Sequence, residues 1–232
     1  GIQANDLFNL NAVLGAAIEE QVVETLNSMR SVWDPNDNYT DCSFQRQSQT
    51  FPDVLFVRHQ EDGEGETIMG IELKGWYLLA KEGEPSFRYK VTPGACADQD
   101  LLVVFCWSLS NVISGEPRLH EPYVESAKRA SQYVDYYWQE LRDTSQDTAI
   151  NRPSGVSPHP NTPAEEIQDM PVEDSGNNYG RVARTGLMDD YTDRMLAREL
   201  AGIKAENWIE FLKLSRQSEE EAQQSLENFD FE

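Results

Sequence analysis

The chain predicts an α/β domain, with a central mixed β-sheet flanked by α-helices and a helical extension at the C-terminal end. Three observations carry this reading. Apolar residues recur every three or four positions over residues 6–30. Runs rich in β-forming residues follow at Asp53–Arg58, Thr67–Ala80 and Leu101–Trp107, divided by turn-forming segments. A second helical pattern then starts at Pro122. With 232 residues, 39% of them hydrophobic, the chain can bury a substantial core.

In the first helix Leu7, Leu10, Val13, Leu14, Ile18, Val22, Leu26 and Met29 share one face, and Asp6 is placed to cap it. At about 100° per residue the stripe centres between Ile18 and Val22. Glu19 then lies at its edge, whereas Glu20 points away. Asp34–Asp41 (DPNDNYTD) reads as a turn-rich loop and Cys42–Gln49 as a polar first strand. Pro52 breaks the chain ahead of the Asp53–Arg58 strand. Glu61–Glu66 makes a turn into the longer Thr67–Ala80 strand, where alternation puts Ile71 and Leu73 on one face and Gly70, Glu72 and Lys74 on the other. Ser86–Thr92 is expected to return as another strand. The unbroken apolar run Leu101–Trp107 suits a strand buried on both faces.

Pro122–Arg142 is expected to be a helix burying Val124, Ala127, Tyr133, Val134, Tyr137, Trp138 and Leu141. Asp143–Tyr179 is rich in Pro, Ser, Asn and acids, the composition of a long loop or partly disordered insertion. Leu187–Leu214 reads as two helices hinged near Gly202, packing through Met195, Leu196, Leu200, Ile203, Trp208, Phe211 and Leu212. Gln217–Glu232 holds six acids and no base, as a frayed tail does. The expected organisation is a core over 1–142, a loop-rich insertion or linker over 143–180, a helical extension packed on the core over 181–216, and an acidic tail over 217–232.

Charge and composition narrow the function. The net charge is −22, with 22 acids against 11 bases in residues 1–142 and 19 against 8 in the rest. The excess is therefore spread over the chain. With 6 Lys against 13 Arg, such a surface suits a salt-rich cytoplasm, where screening removes self-repulsion. The alternatives are a protein that avoids nucleic acid or imitates it. The longest apolar stretch is too short to cross a bilayer, so no membrane partner is expected. No secretory signal pattern opens the sequence, and the widely spaced Cys42, Cys96 and Cys106 suit a reducing compartment, so a cytoplasmic location is expected. His59, His120 and His159 are scattered and read as surface or packing residues. No phosphate-binding loop or dinucleotide fingerprint appears, so no nucleotide cofactor is expected.

The chemistry concentrates in Pro52-Asp53 and Glu72-Leu73-Lys74. Phosphodiester hydrolysis needs a nucleophile and charge stabilisation on the phosphate. Magnesium supplies much of both, and usually takes one or two protein carboxylates among hard oxygen ligands. Asp53 and Glu72 are candidates for those carboxylates, with the Leu73 backbone carbonyl as a further ligand. Lys74 shares a strand face with Glu72 and can reach the attacking water or the phosphate. A hairpin in register brings Asp53 near Glu72. Taken singly, Pro-Asp is common and Glu-x-Lys on a strand is usually an exposed ion pair.

Together these segments resemble the PD-(D/E)xK nuclease superfamily, the fold of most type II restriction endonucleases. The likeness covers residues 5–142 and implies a restriction-endonuclease-like core. Gly15-Ala16-Ala17-Ile18-Glu19 matches the family's first-helix pattern, which implies that Glu19 completes the metal site. The family's helix after the motif strand has little room here, because Pro85 and Pro93 leave space only near Pro93–Gln99. The resemblance implies a magnesium-dependent DNA endonuclease, with manganese as substitute ion, acting as a two-fold homodimer on double-stranded DNA. A repair or junction nuclease of the same superfamily is the alternative within the class. The rival from another class is a catalytically silent module of this fold that binds a basic protein through its acidic surface.

Residues for gripping DNA are Arg88 and Lys90, interleaved with aromatics, and the cluster Arg181, Arg184, Arg194 and Arg198. Arg194 and Arg198 are expected to share a helix face. The alternative for the cluster is a solvated face paired with Asp189, Asp190 and Asp193.

Overall fold

The computed structural model describes residues 20–47, 50–60, 63, 65–161 and 166–215. It is an α/β fold whose central mixed sheet is flanked by helices. Helix α1 spans 20–28 of the described residues and is followed, after a turn at Met29, by the short α2 (Arg30–Trp33). The sheet is built from β1 (Cys42–Arg46), β2 (Val54–His59), β3 (Gly65–Tyr77), β4 (Leu101–Leu109), β5 (Pro117–Leu119) and β6 (Tyr123–Ser126). Strands β1, β2 and β3 form an antiparallel meander, β4 runs parallel to β3, and β5 and β6 both pair antiparallel with β4.

The alternation of β3 and β4 divides the core between two faces. Ile71, Leu73, Val54, Phe44 and Phe56 pack beneath Val22, Val23 and Leu26 of α1. Trp33 sets its ring edge-on to Phe44 and Phe56, at 5.5 and 5.4 Å between centroids. The Asn27 amide grips the free edge of β1: it donates to the Phe44 carbonyl at 2.8 Å and accepts from the Phe44 N–H at 2.9 Å. That pairing fixes α1 against the sheet. On the other face Leu102, Val104 and Cys106 join Trp76, Tyr89 and α3 (Ala127–Tyr136) in the larger core. In the run Leu101–Trp107, Leu102, Val104 and Cys106 are fully buried on one face, whereas Leu101, Val103 and Phe105 on the other are half-buried and Trp107 is again buried.

Several expected elements differ. Residues 123–126 are strand β6 and not the start of a helix, because they pair with Leu101–Val104. Ser126 then caps α3, its hydroxyl accepting from the Arg129 N–H. The later start shifts the buried face to Ala127, Ala130, Ser131, Val134 and Trp138, leaving Val124, Tyr133 and Leu141 exposed. The helix ends in a wide π-type turn, Tyr137–Leu141. The space near Pro93–Gln99 holds only a 3-10 turn, Pro93–Ala95, with Pro93 in its first turn. Ser86–Thr92 is extended but does not join the sheet. Its backbone is taken up instead by residues 167–180: Tyr89 N–H donates to Gly180 at 2.7 Å, Asp169 N–H to Lys90 at 2.8 Å, and Thr92 N–H to Ile167 at 2.8 Å.

The 143–180 region therefore packs on the core, with Ile167 and Tyr179 buried. It also carries the small pair β7 (Ile150–Asn151) and β8 (Met170–Pro171). After a 3-10 turn at Val182–Thr185, α4 (Asp189–Leu196) leads into the hairpin β9 (Glu199–Leu200) and β10 (Ile203–Lys204), turning at Ala201-Gly202. Helix α5 spans 205–215. Met195 and Ile209 are buried here, whereas Ile203 and Phe211 face solvent. No helix among the described residues is long and apolar enough to cross a membrane. The expected tail 217–232 and the start of the first helix lie outside the described residues.

The 143–180 region is tied to α3 by a buried polar group. Asp135 on α3 accepts from Arg152 at 3.2 Å and from the Tyr179 hydroxyl at 2.8 Å. Asp169, fully buried, lies 3.9 Å from the same guanidinium. Desolvation, reinforced by the charge of Asp135, pushes the Asp169 carboxyl up to about 7. Between about pH 4 and 7 the folded chain holds a proton that the unfolded chain has released, so this group's stabilising contribution falls as pH rises through that window. Asp169→Asn is expected to raise the unfolding free energy by about 1–3 kcal/mol near pH 8 and to flatten its pH dependence. Urea denaturation across that range measures both, and an unchanged slope contradicts the assignment.

Candidate active site

The β2–β3 register places Val54 opposite Ile71, which sets Asp53 beside Glu72 at the end of the hairpin. A bulge interrupts the ladder between Phe56 and Val57, with Ile68 as the extra residue in β3; in the regular pairing before it, Ile71 and Leu73 turn inward to α1. Glu72 and Lys74 consequently share the opposite face. Asp53 Oδ2 accepts from the Leu73 N–H at 2.7 Å, which aims the carboxylate along β3. Lys74 Nζ donates to Glu72 Oε1 at 2.5 Å, so the Glu-x-Lys ion pair forms, but in a setting where Glu72 is only 7% exposed. Glu72 Oε2 is buried with no hydrogen-bond partner. An orphaned carboxylate oxygen of this kind calls for a proton, a cation or a water.

These three motif side chains line one cavity of about 470 Å³. Arg88, Tyr89, Lys90, Ile167 and Gln168 line the same cavity, as do Thr50 and Phe51 next to Asp53 in the chain. Two carboxylates thus share one cavity with three cations, in a chain that is otherwise strongly acidic. Arg88 is held by its Nε–H donating to the Asn177 carbonyl at 2.7 Å. Lys90 lies 3.9 Å from Asp174 and over the Tyr179 ring. Burial, then the neighbouring Cys96, Glu72 and Asp100, hold the Tyr89 hydroxyl well above its usual range, so it stays a neutral phenol and not a base. The cavity's two carboxylates are hard oxygen ligands in the number magnesium usually takes from a protein. Among the described residues no group of three or more His, Cys, Asp or Glu is assembled around a common point.

The remaining expected site residues are dispersed. Glu19 lies outside the described residues. Arg181 and Arg184 turn to Glu84, at 3.8 and 3.2 Å, and Arg194 to Glu121 at 3.5 Å. Arg181, Arg184 and Arg194 are thus ion-paired, with Glu84 and Glu121; among the described residues no arginine of the cluster pairs with Asp189, Asp190 or Asp193. Arg194 and Arg198 do not share a helix face, because α4 ends at Leu196. Of the DNA-gripping candidates, only Arg88 and Lys90 reach the cavity.

Sequence reasoning missed the residues that brace this arrangement. Asp100, fully buried, accepts from the Gly70 N–H at 2.8 Å and the Ala97 N–H at 2.7 Å, and its Oδ2 lies 2.9 Å from His159 Nδ1. It therefore links β3, the start of β4 and the 143–180 region. An acid immediately before a wholly apolar strand was the available signal. Gly70 is required by close approach, since a Cβ there would lie 2.2 Å from Pro52 Cγ. Gly180, at φ +87°, likewise lies against Lys90 and the Tyr89 backbone.

Asp53 has a structural duty that can be separated from any catalytic one. Asp53→Ala leaves the buried Leu73 N–H without its acceptor and is expected to cost about 1–3 kcal/mol. Asp53→Asn keeps an acceptor oxygen and is expected to cost less than half of that in denaturant unfolding. Comparison of the chain with protein-family models, with curated proteins and with solved structures finds no match in any of the three.

Proposed function

We propose that the protein is a magnesium-dependent endonuclease of the PD-(D/E)xK type acting on double-stranded DNA, with a type II restriction endonuclease as the specific reading. The observation that carries it is the shared cavity, lined by Asp53, Glu72 and Lys74 together with Arg88 and Lys90. A chance Pro-Asp and a chance Glu-x-Lys have no reason to meet in one cleft with two further cations.

Asp53 and Glu72 would hold the ion, and the buried, unpartnered Glu72 Oε2 fits a cation ligand. The ion, when bound, would polarise the phosphate and acidify a water. Glu19 is assigned to the same site by the resemblance, and the Leu73 carbonyl is its backbone candidate. Lys74, held against Glu72 in the resting site, is positioned to exchange that contact for the nucleophile or a phosphate oxygen. Arg88 and Lys90 would neutralise the flanking phosphates, which hold the duplex in register without reading its sequence. In the restriction-enzyme reading two copies act as a symmetric dimer, because a palindromic duplex suits a two-fold reader.

The test incubates the protein with mixed-sequence duplex DNA and magnesium over a wide range of salt, beside Asp53→Asn and Lys74→Ala. Discrete fragments are expected from wild type, with at least about 100-fold slower cleavage by each variant. If cleavage needs high salt, the acidic surface is an adaptation to a salt-rich host. A folded wild type that cuts at no salt concentration contradicts the nuclease reading and favours the silent module.

A further inference from the structure

A second cavity, of about 290 Å³, lies at the far end of β4. Ser108, one of its lining residues, is six positions beyond Leu102, the partner of Glu72 across the β3–β4 pair. That places it about 20 Å from the motif carboxylates along the strand.

The lining is cationic and preorganised. Arg118 stands directly opposite Ser108 in the β4–β5 register, and His120, two residues on, emerges on the same side. His120 Nε2 lies 2.9 Å from Ser108 Oγ, which fixes the ring. The chain after α4 brings Arg198 and Glu199 into the same lining. Arg198 is held there through its backbone, donating to Met195 and accepting from Ala205. Neither Arg118 nor Arg198 has a carboxylate partner among the described residues. By contrast Arg58, Arg129, Arg152, Arg181, Arg184 and Arg194 each have one. With Glu199 counted and His120 neutral, the lining keeps one positive charge in a chain of −22. Burial, and then the charge of Arg198, hold the His120 imidazole below its usual range, so an arriving anion would draw a proton onto it.

We propose that this cavity binds a phosphate group, gripped by Arg118 and Arg198 and seated on Ser108 and His120. A guanidinium fork matches both carboxylates and phosphates, but one carboxylate offers a single bidentate edge. Two forks meeting at one cavity are better satisfied by the several oxygens of a phosphate. The group belongs either to a small phosphorylated compound or to the backbone of a nucleic acid. The site does not depend on the nuclease reading.

The experiment follows the side-chain NMR signals of the three histidines in the full chain, without divalent ions, during titration with inorganic phosphate at constant ionic strength. Saturable shifts are expected for His120 and not for His59 or His159, with an apparent Kd on the order of 1 mM. Arg118→Gln combined with Arg198→Gln is expected to weaken that binding at least tenfold, with His59 and His159 signals reporting an intact fold. A short duplex is then added in competition. Displacement of phosphate assigns the site to a nucleic-acid backbone, and its absence assigns it to a small phosphorylated compound. A folded wild type whose His120 responds saturably to neither ligand overturns the proposal, as does undiminished binding by the double variant.

Discussion

The arrangement of the candidate active site depends on one pairing register. Strands β2 and β3 meet with Val54 opposite Ile71. A slip of one residue would turn Glu72 and Lys74 into the α1 core and expose Ile71 and Leu73. Several contacts make such a slip costly. Apolar side chains on one face of β3 are buried under α1, the Leu73 N–H is committed to Asp53, and the Gly70 N–H is committed to Asp100. Gly70 and Pro52 are also too close for a larger residue at position 70. The same contacts that hold the sheet in register therefore aim both motif carboxylates into one cavity.

The parallel pairing of β3 with β4 has a second consequence. Parallel strands need a long crossover, commonly a helix. Here the crossover runs through residues 78–100 with only a 3-10 turn, so its extended part, 86–92, retains free backbone groups. Residues 167–169 and Gly180 satisfy them. This brings the 143–180 region against the cavity, where Ile167 and Gln168 become lining and Asn177, Asp174 and Tyr179 steady Arg88 and Lys90. The buried Asp135, Asp169 and Tyr179, joined by the partly exposed Arg152, anchor the region to α3. Desolvating two carboxylates is unfavourable, and one guanidinium together with the proton that Asp169 retains offsets it only in part.

Arginine use reconciles the acidic chain with cationic cavities. Arg58, Arg129, Arg152, Arg181, Arg184 and Arg194 are each paired with a carboxylate, which limits their reach as solvent-facing charges. Arg88 donates instead to a backbone carbonyl, and Arg118 and Arg198 have no carboxylate partner among the described residues. Those three line the two cavities. Net charge thus governs solubility and long-range repulsion, while the local field follows from which cations are left uncompensated.

Local sequence by itself determined the fold class, the three principal strands and the face shared by Glu72 and Lys74. Period two and period 3.6 are properties of the backbone, and each is readable in a short window. It also selected Arg88 and Lys90, because alternation with aromatics is local. It did not reveal that 123–126 extend as a strand, that Ser86–Thr92 leave the sheet, or that Arg181, Arg184 and Arg194 turn to Glu84 and Glu121. Each of these outcomes is decided by a partner some distance away in the chain: β4 for 123–126, residues 167–180 for the extended crossover, and acids about 70 to 100 positions upstream for the arginines. Asp100 and His159 were hidden for the same reason, since their roles exist only once three segments meet. Tertiary structure alone assembled the cavity walls, because burial and hydrogen-bond satisfaction are settled between segments and not within them.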